Sequence, residues 1–204
     1  MARPHRRRAL ALATALAATL MLAVPAVSSA ALPSSSVSSV TWNVRTSWVN
    51  YVTNPAWFLW TDQGTVTPTG GARAAPGSAT TSWSGWTNYA YSYAFAAADD
   101  HPASPRTVRL TGGLDFDMSA HGIDVSLSDL RVVSSGGVES LVGDATYVPL
   151  GGSTVSRADI AIGTIVAVSG VPNQVQLTAA GAEIFNGGSN GSYRAGAEFG
   201  SLDY

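Results

Sequence analysis

The chain has 204 residues with no cysteine and no lysine, and its eleven arginines face thirteen acidic residues for a net charge of −2. The lack of cysteine excludes disulfides, thiolate metal sites and a cysteine nucleophile, and an acidic chain with scattered arginines argues against a nucleic-acid partner. Glycine is abundant and Val, Ile, Thr, Trp and Tyr are frequent, a composition that favours strands.

Residues 1–30 read as a secretory signal. "MARPHRRRAL" is a basic n-region, "LALATALAATLMLAV" an apolar run, and "PAVSSA" ends in the small-x-small pattern that places cleavage after Ala30. An uncleaved anchor would need roughly 20 apolar residues and a different flank. Cleavage removes Arg3, Arg6, Arg7 and Arg8 and leaves a mature chain of roughly −6 charge and single-domain size. Residues 31–38, within "LPSSSVSSV", are expected as a flexible lead-in, and 39–204 as one domain. No membrane span or sorting tail is expected after cleavage, so the product is expected outside the membrane, secreted or on the exterior of the cell envelope.

"VTWNVRT" predicts an opening strand. Thr46 or Ser47 is placed to cap a short helix over 46–53, which Asn54-Pro55 stops because the residue before proline is pushed out of the helical region. "AWFLWTD" predicts an inner strand, and the Gly/Pro/Thr-rich stretch at 64–82 a loop. In "WSGWTNYAYSYAFAA", Tyr89, Tyr91, Tyr93 and Phe95 share one side of a strand. "ADDHPASP" is a polar turn. Leu114, Phe116 and Met118 alternate with Asp115 and Asp117; after a turn near 119–122 the apolar set becomes Ile123, Val125 and Leu127, a hairpin. The same phase points His121 toward the buried side. "ATYVPL", "RADIAIGTIVAVSG" and "NQVQLT" predict further strands. Thr178 caps a helix over 178–186 that Gly187-Gly188 stops. The expected fold is mainly β: an antiparallel two-sheet, sandwich-like domain with two short helices.

Little in this pattern suggests catalysis, and the chain is not expected to be an enzyme. His101 lies in a turn and reads as solvated, and two mature histidines without cysteine do not make a structural zinc site. There is no GxSxG elbow. The pairs Asp99/Asp100 and Asp115/Asp117 read as solvated surface rather than glycosidase carboxylates. "GGLDF" and "NGGSNGS" lack the lysine of a phosphate loop. His121 fits either a core histidine bonded to a carbonyl or a functional group. Tyr51 sits four residues after Ser47 on one helix face, with Trp48 and Val52 turned to the sheet. That tyrosine fits a helix–sheet contact, or a pocket ligand, since a phenolate can hold haem iron once a hydrogen-bonded histidine or arginine helps it ionise.

Three stretches together resemble the HtaA-type haem-binding domain of actinobacterial cell-surface haem-uptake proteins. They are "VTWNVRTSWVNYVT", "GGLDFDMSAHGIDVSLSDLRV" and "LTAAGAEIFNGGSNGSYRAGAEF", in this order behind a signal peptide. The resemblance implies an extracellular protein of haem-iron acquisition that holds ferric haem and passes it to a partner. Tyr51 would be the axial ligand, His121 would hydrogen-bond its phenolate, and Ser47 would bond a propionate. Tyr193 would pack against the macrocycle, with Phe199 as the competing candidate. Implied partners are haem and a host haemoprotein or membrane haem-uptake receptor. The chain departs from the family in its long segment between Tyr51 and His121 and in the stretched "NGGSNGSYRAG". The alternative is a cell-wall or carbohydrate-interacting β module that stacks sugars on Trp83, Trp86, Tyr89 and Tyr91.

Overall fold

Apolar residues recur at every second position along most of the chain, and strands follow that period. The computed structural model describes residues 28–29, 31–53, 64–78, 80–81, 89–186 and 193–204. Strand β1 is Ser28–Ser29, β2 Ser39–Val44, β3 Thr65–Thr69, β4 Arg73–Ala74, β5 Thr80–Thr81, β6 Tyr89–Ala90 and β7 Ser92–Asp99. Then come β8 Arg106–Leu110, β9 Gly113–Met118, β10 Ile123–Ser135, β11 Val138–Tyr147, β12 Val155–Val168, β13 Val171–Leu177 and β14 Glu198–Asp203. Helix α1 covers Thr46–Thr53 and α2 Ala179–Ile184. "AWFLWTD", Trp83, Trp86 and the side chain of Tyr89 lie outside the described residues. So does Asn54-Pro55, the expected helix stop.

The described strands close on themselves. β12, β13, β14, β2, β7, β8, β10 and β11 are hydrogen-bonded in that order, and β11 pairs back onto β12, giving an eight-stranded antiparallel barrel. This corrects the sandwich expectation. The physical reason lies in a long strand that changes partners. Ile123–Leu127 of β10 pairs with β9, whereas Arg131–Ser134 pairs with β8, and the register shifts between Ser128 and Arg131, where Asp129 has φ 45°. Such a bulge bends a strand and tightens its twist, which turns the sheet back on itself. Closure also satisfies the backbone groups that an edge strand would leave open.

Strands β9 and β3 extend from the first half of β10 as a flap. The predicted hairpin is therefore present in its expected phase, with Leu114, Phe116, Met118, Ile123, Val125 and Leu127 all buried. Strand β3 was not expected, because 64–82 reads as a loop. It pairs Val66 with Phe116 and carries Pro68 opposite Leu114, and Val66 is its single buried residue, so it has almost no apolar alternation to read. On β7 the expected face is present in Tyr93 and Phe95, both buried, while Tyr91 sits at a bend before the strand, half-buried against the core.

Helix α2 is held at its start by Thr178, whose hydroxyl accepts from the Gly181 amide at 2.9 Å and donates to the Ala161 carbonyl. A Cβ at Gly181 would stand 1.8 Å from the Ile162 carbonyl oxygen. Glycine there lets the helix backbone lie directly on β12.

Residues 31–38, expected as a flexible lead-in, are strapped to the barrel. Arg106 donates to the carbonyls of Pro33 at 2.6 Å and Ser35 at 2.8 Å, and Asp99 accepts from the Val37 amide at 2.7 Å. Arg106 and Asp99 pair at 2.5 Å, with only 11% and 2% of their side chains exposed. Asp99 is thus a buried ion-pair partner at the end of β7, correcting its reading as solvated surface. Asp117 is exposed as expected, and Asp115 accepts from the Ser126 hydroxyl at 2.6 Å.

Candidate functional site

Helix α1 begins with Arg45, whose carbonyl accepts from the amides of Trp48 at 3.0 Å and Val49 at 3.2 Å. Neither Thr46 nor Ser47 caps it. Trp48, Val49 and Val52 turn inward and are buried, which follows from apolar residues spaced three and four apart. Tyr51 lies at the margin of that stripe, half-buried, with its ring stacked on Trp48 at 6.4 Å and 28°.

His121 reaches the same place from the tip of the β9–β10 hairpin. Ser119–His121 form a 3-10 turn closed by Gly122, which has φ 71° and donates to the Ser119 carbonyl at 3.0 Å. Only glycine adopts that left-handed conformation without strain. The histidine is therefore on a turn rather than in phase with the buried set of β10, and it is half-buried. Tyr51 Oη and His121 Nδ1 are 3.4 Å apart, with ring planes at 86°. The histidine tautomer decides which atom donates.

One turn earlier on α1 lies a second polar group. Arg45 Nε donates to Ser47 Oγ at 2.7 Å, and its NH1 donates to the Glu198 carbonyl at 2.8 Å and carboxylate at 2.7 Å. The guanidinium stands 5.8 Å from the centre of the Tyr193 ring, within cation–π range. Tyr193 is held by Asn186, whose side chain donates to the Tyr193 carbonyl and accepts from its amide, both at 2.7 Å. Burial pushes the Tyr193 hydroxyl pKa above its ordinary value, while Arg45 and Ser47 pull it down.

Trp48 joins the two groups. Its ring lies 6.4 Å from Tyr51, 6.0 Å from Tyr193 and 6.2 Å from Phe199, and its buried Nε1 has no partner among the described residues. Of the sequence-predicted residues, Tyr51 and His121 meet directly, and Ser47 and Tyr193 gather around Arg45. Phe199 is fully buried and stacks on Phe185 at 4.0 Å, so it forms a floor beneath the aromatic group rather than a contact surface. Sequence reasoning missed Asn186, visible only as the last residue before a glycine pair, and Glu198, which carried no motif. His101 is exposed in its turn, as expected. Elsewhere Asp129, Asp144 and Asp159 bring carboxylates together, and Arg131 pairs with Asp129 and Asp159. Among the described residues no helix is long and apolar enough to cross a membrane.

A closed antiparallel barrel carrying a half-open tyrosine–histidine pair over an aromatic floor defines the class of domain. The HtaA family profile matches residues 37–204, and the chain belongs to that family. Three solved structures from Corynebacterium glutamicum are similar in fold. The N-terminal domain of HtaA is 20% identical, covering 82% of this chain and 94% of that one, with a TM-score of 0.59. The C-terminal domain of HtaA is 16% identical, covering 81% and 92%, with a TM-score of 0.56. The haem-binding protein HtaB is 17% identical, covering 80% and 89%, with a TM-score of 0.54. No curated protein matches the chain in sequence.

Proposed function

We propose that the chain is an extracellular haem-binding protein of haem-iron uptake that holds ferric haem through Tyr51 and hands it to a partner. The reading rests chiefly on the 3.4 Å approach of Tyr51 Oη to His121 Nδ1 in a half-open site, within a family that includes haem-binding domains. The donor set suits the group: ferric haem would bring an electron-pair-accepting iron and two carboxylates. The Tyr51 phenolate is a hard anionic donor for that iron. His121, with its proton on Nδ1, would donate a hydrogen bond to the phenolate oxygen. Ser47 and Arg45 are placed to receive a propionate, and Tyr193 packs a flat ring beside them. Were haem bound, a proton taken up at His121 Nε2 and passed on from Nδ1 to the Tyr51 oxygen would convert the anionic donor to a neutral phenol without unfolding the barrel, and that would be a route to release. The receiving partner on this reading is a membrane haem-uptake receptor, with host haemoproteins as a source.

Hemin titrated into the purified protein should give a Soret band with a high-spin tyrosinate pattern, lost in Tyr51→Phe. A free-hemin spectrum in the wild type would end the proposal. A tyrosinate pattern that survives in Tyr51→Phe would move the ligand elsewhere.

A further inference from the structure

We propose that Glu139 is the docking site for the α-ammonium group that Ala31 acquires when the leader is removed after Ala30. Glu139 opens the buried face of β11 and is only 2% exposed. One carboxylate oxygen accepts from the Leu32 amide. The other, Oε2, is buried with no partner among the described residues. A buried carboxylate oxygen left in that state is costly, and burial pushes the Glu139 pKa up against the opposing pull of Leu32 and Arg106. Arg106 makes its hydrogen bonds to Asp99, Pro33 and Ser35 and none to Glu139 Oε2.

The chain before the cleavage point runs to the same place. On β12, Ile165 stands opposite Glu139, and the next residue, Val166, stands opposite Ser29. Strands β1 and β11 are therefore consecutive neighbours along one side of β12. Successive backbone nitrogens are roughly 3–4 Å apart, so the Ala31 nitrogen is one step from the Leu32 amide already on Glu139. In the uncut chain that nitrogen is a neutral amide with one hydrogen. Hydrolysis by an endopeptidase adds water across the Ala30–Ala31 bond: Ala30 leaves as a carboxylate, and Ala31 keeps an amine that takes up a proton. The strap then ends in a cation with three donors, close to a buried carboxylate oxygen that lacks a partner among the described residues. The other ionisable groups facing this point are Arg106, Asp99 and Tyr204.

The absence of lysine makes the test clean, since the α-amine is the single primary amine of the protein. The chain is exported from a secreting host, its first residue read by intact mass, and the unmodified amine titrated by NMR through the ¹³C resonances of the amino-terminal residue. The amine should titrate about one pH unit above its ordinary range of about 7.7–8.0, and Glu139→Gln should return it there. A variant with one glycine inserted before Ala31 keeps Glu139 and displaces the amine; it too should titrate normally, and it carries the comparison if Glu139→Gln fails to fold. An exported chain that begins elsewhere, or a wild-type amine that titrates in the ordinary range, overturns the proposal. So does a raised value that neither variant lowers. None of these outcomes depends on hemin.

Discussion

The face built from Tyr51, His121, Arg45 and Tyr193 and the strap built from Arg106, Asp99 and Glu139 both join distant parts of the chain, yet they treat polar groups in opposite ways. At the strap, Arg106 and Asp99 are buried, and between them they engage Pro33, Ser35 and Val37. At the other face Tyr51, His121, Arg45 and Tyr193 are half-buried and Ser47 is exposed. Their links include one long hydrogen bond at 3.4 Å and an ion pair whose two side chains are 35% and 41% exposed. Buried, paired charges hold structure, and removing one partner strands the other. Half-exposed groups of this kind contribute less to folding.

The largest effect should come from Arg106→Ala, which leaves the Asp99 carboxylate buried and unpaired. We expect a loss of about 3 kcal/mol in urea unfolding, with the hemin spectrum of the folded fraction unchanged; altered hemin binding would mean the two regions are coupled. Acid should reveal the same pair. The Arg106 hydrogen bond, aided by the amides of Val37 and His101, holds the Asp99 pKa well below the usual carboxylate range. A carboxyl depressed in the folded state stabilises fully above its unfolded pKa of about 4, and that contribution is lost as pH falls from there toward the folded value. Urea midpoints should therefore drop below about pH 4, and the part of that drop owed to Asp99 should vanish in Asp99→Asn.

Asn186→Ala removes two hydrogen bonds that position Tyr193. About 1–2 kcal/mol of stability should go with them, together with a measurable weakening of hemin binding; a loss of stability alone would make Asn186 purely structural. The smallest change in stability, within about 0.5 kcal/mol, is expected for His121→Ala, because the ring is half-exposed on a turn. Its hemin affinity should nonetheless fall, though less than in Tyr51→Phe. The reverse order would show the ligand to be misassigned.

The hairpin at 114–127 and both helices were legible because each is specified locally, by alternation, by a capping Thr178 or by apolar residues at helical spacing. Tyr51 and His121 were legible as candidates through their neighbours in sequence, but their meeting was not, since seventy positions separate them. The barrel was hidden for a similar reason: closure depends on β10 exchanging β9 for β8 near Asp129, and no local pattern encodes a change of partner. Asp99 looked solvated because Asp100, His101 and two prolines surround it, while its partner Arg106 arrives from the next strand.

The last strand of the chain, β14, lies between β13 and β2, the first strand of the matched domain. Asp203 is opposite Thr41 and Leu202 opposite Trp42, so the final residues supply the stave that completes the cylinder. The cylinder cannot seal until Glu198–Asp203 is in place. Before then β2 and β13 each present an unzipped border, and loss of residues 198–203 would leave a gap in the wall.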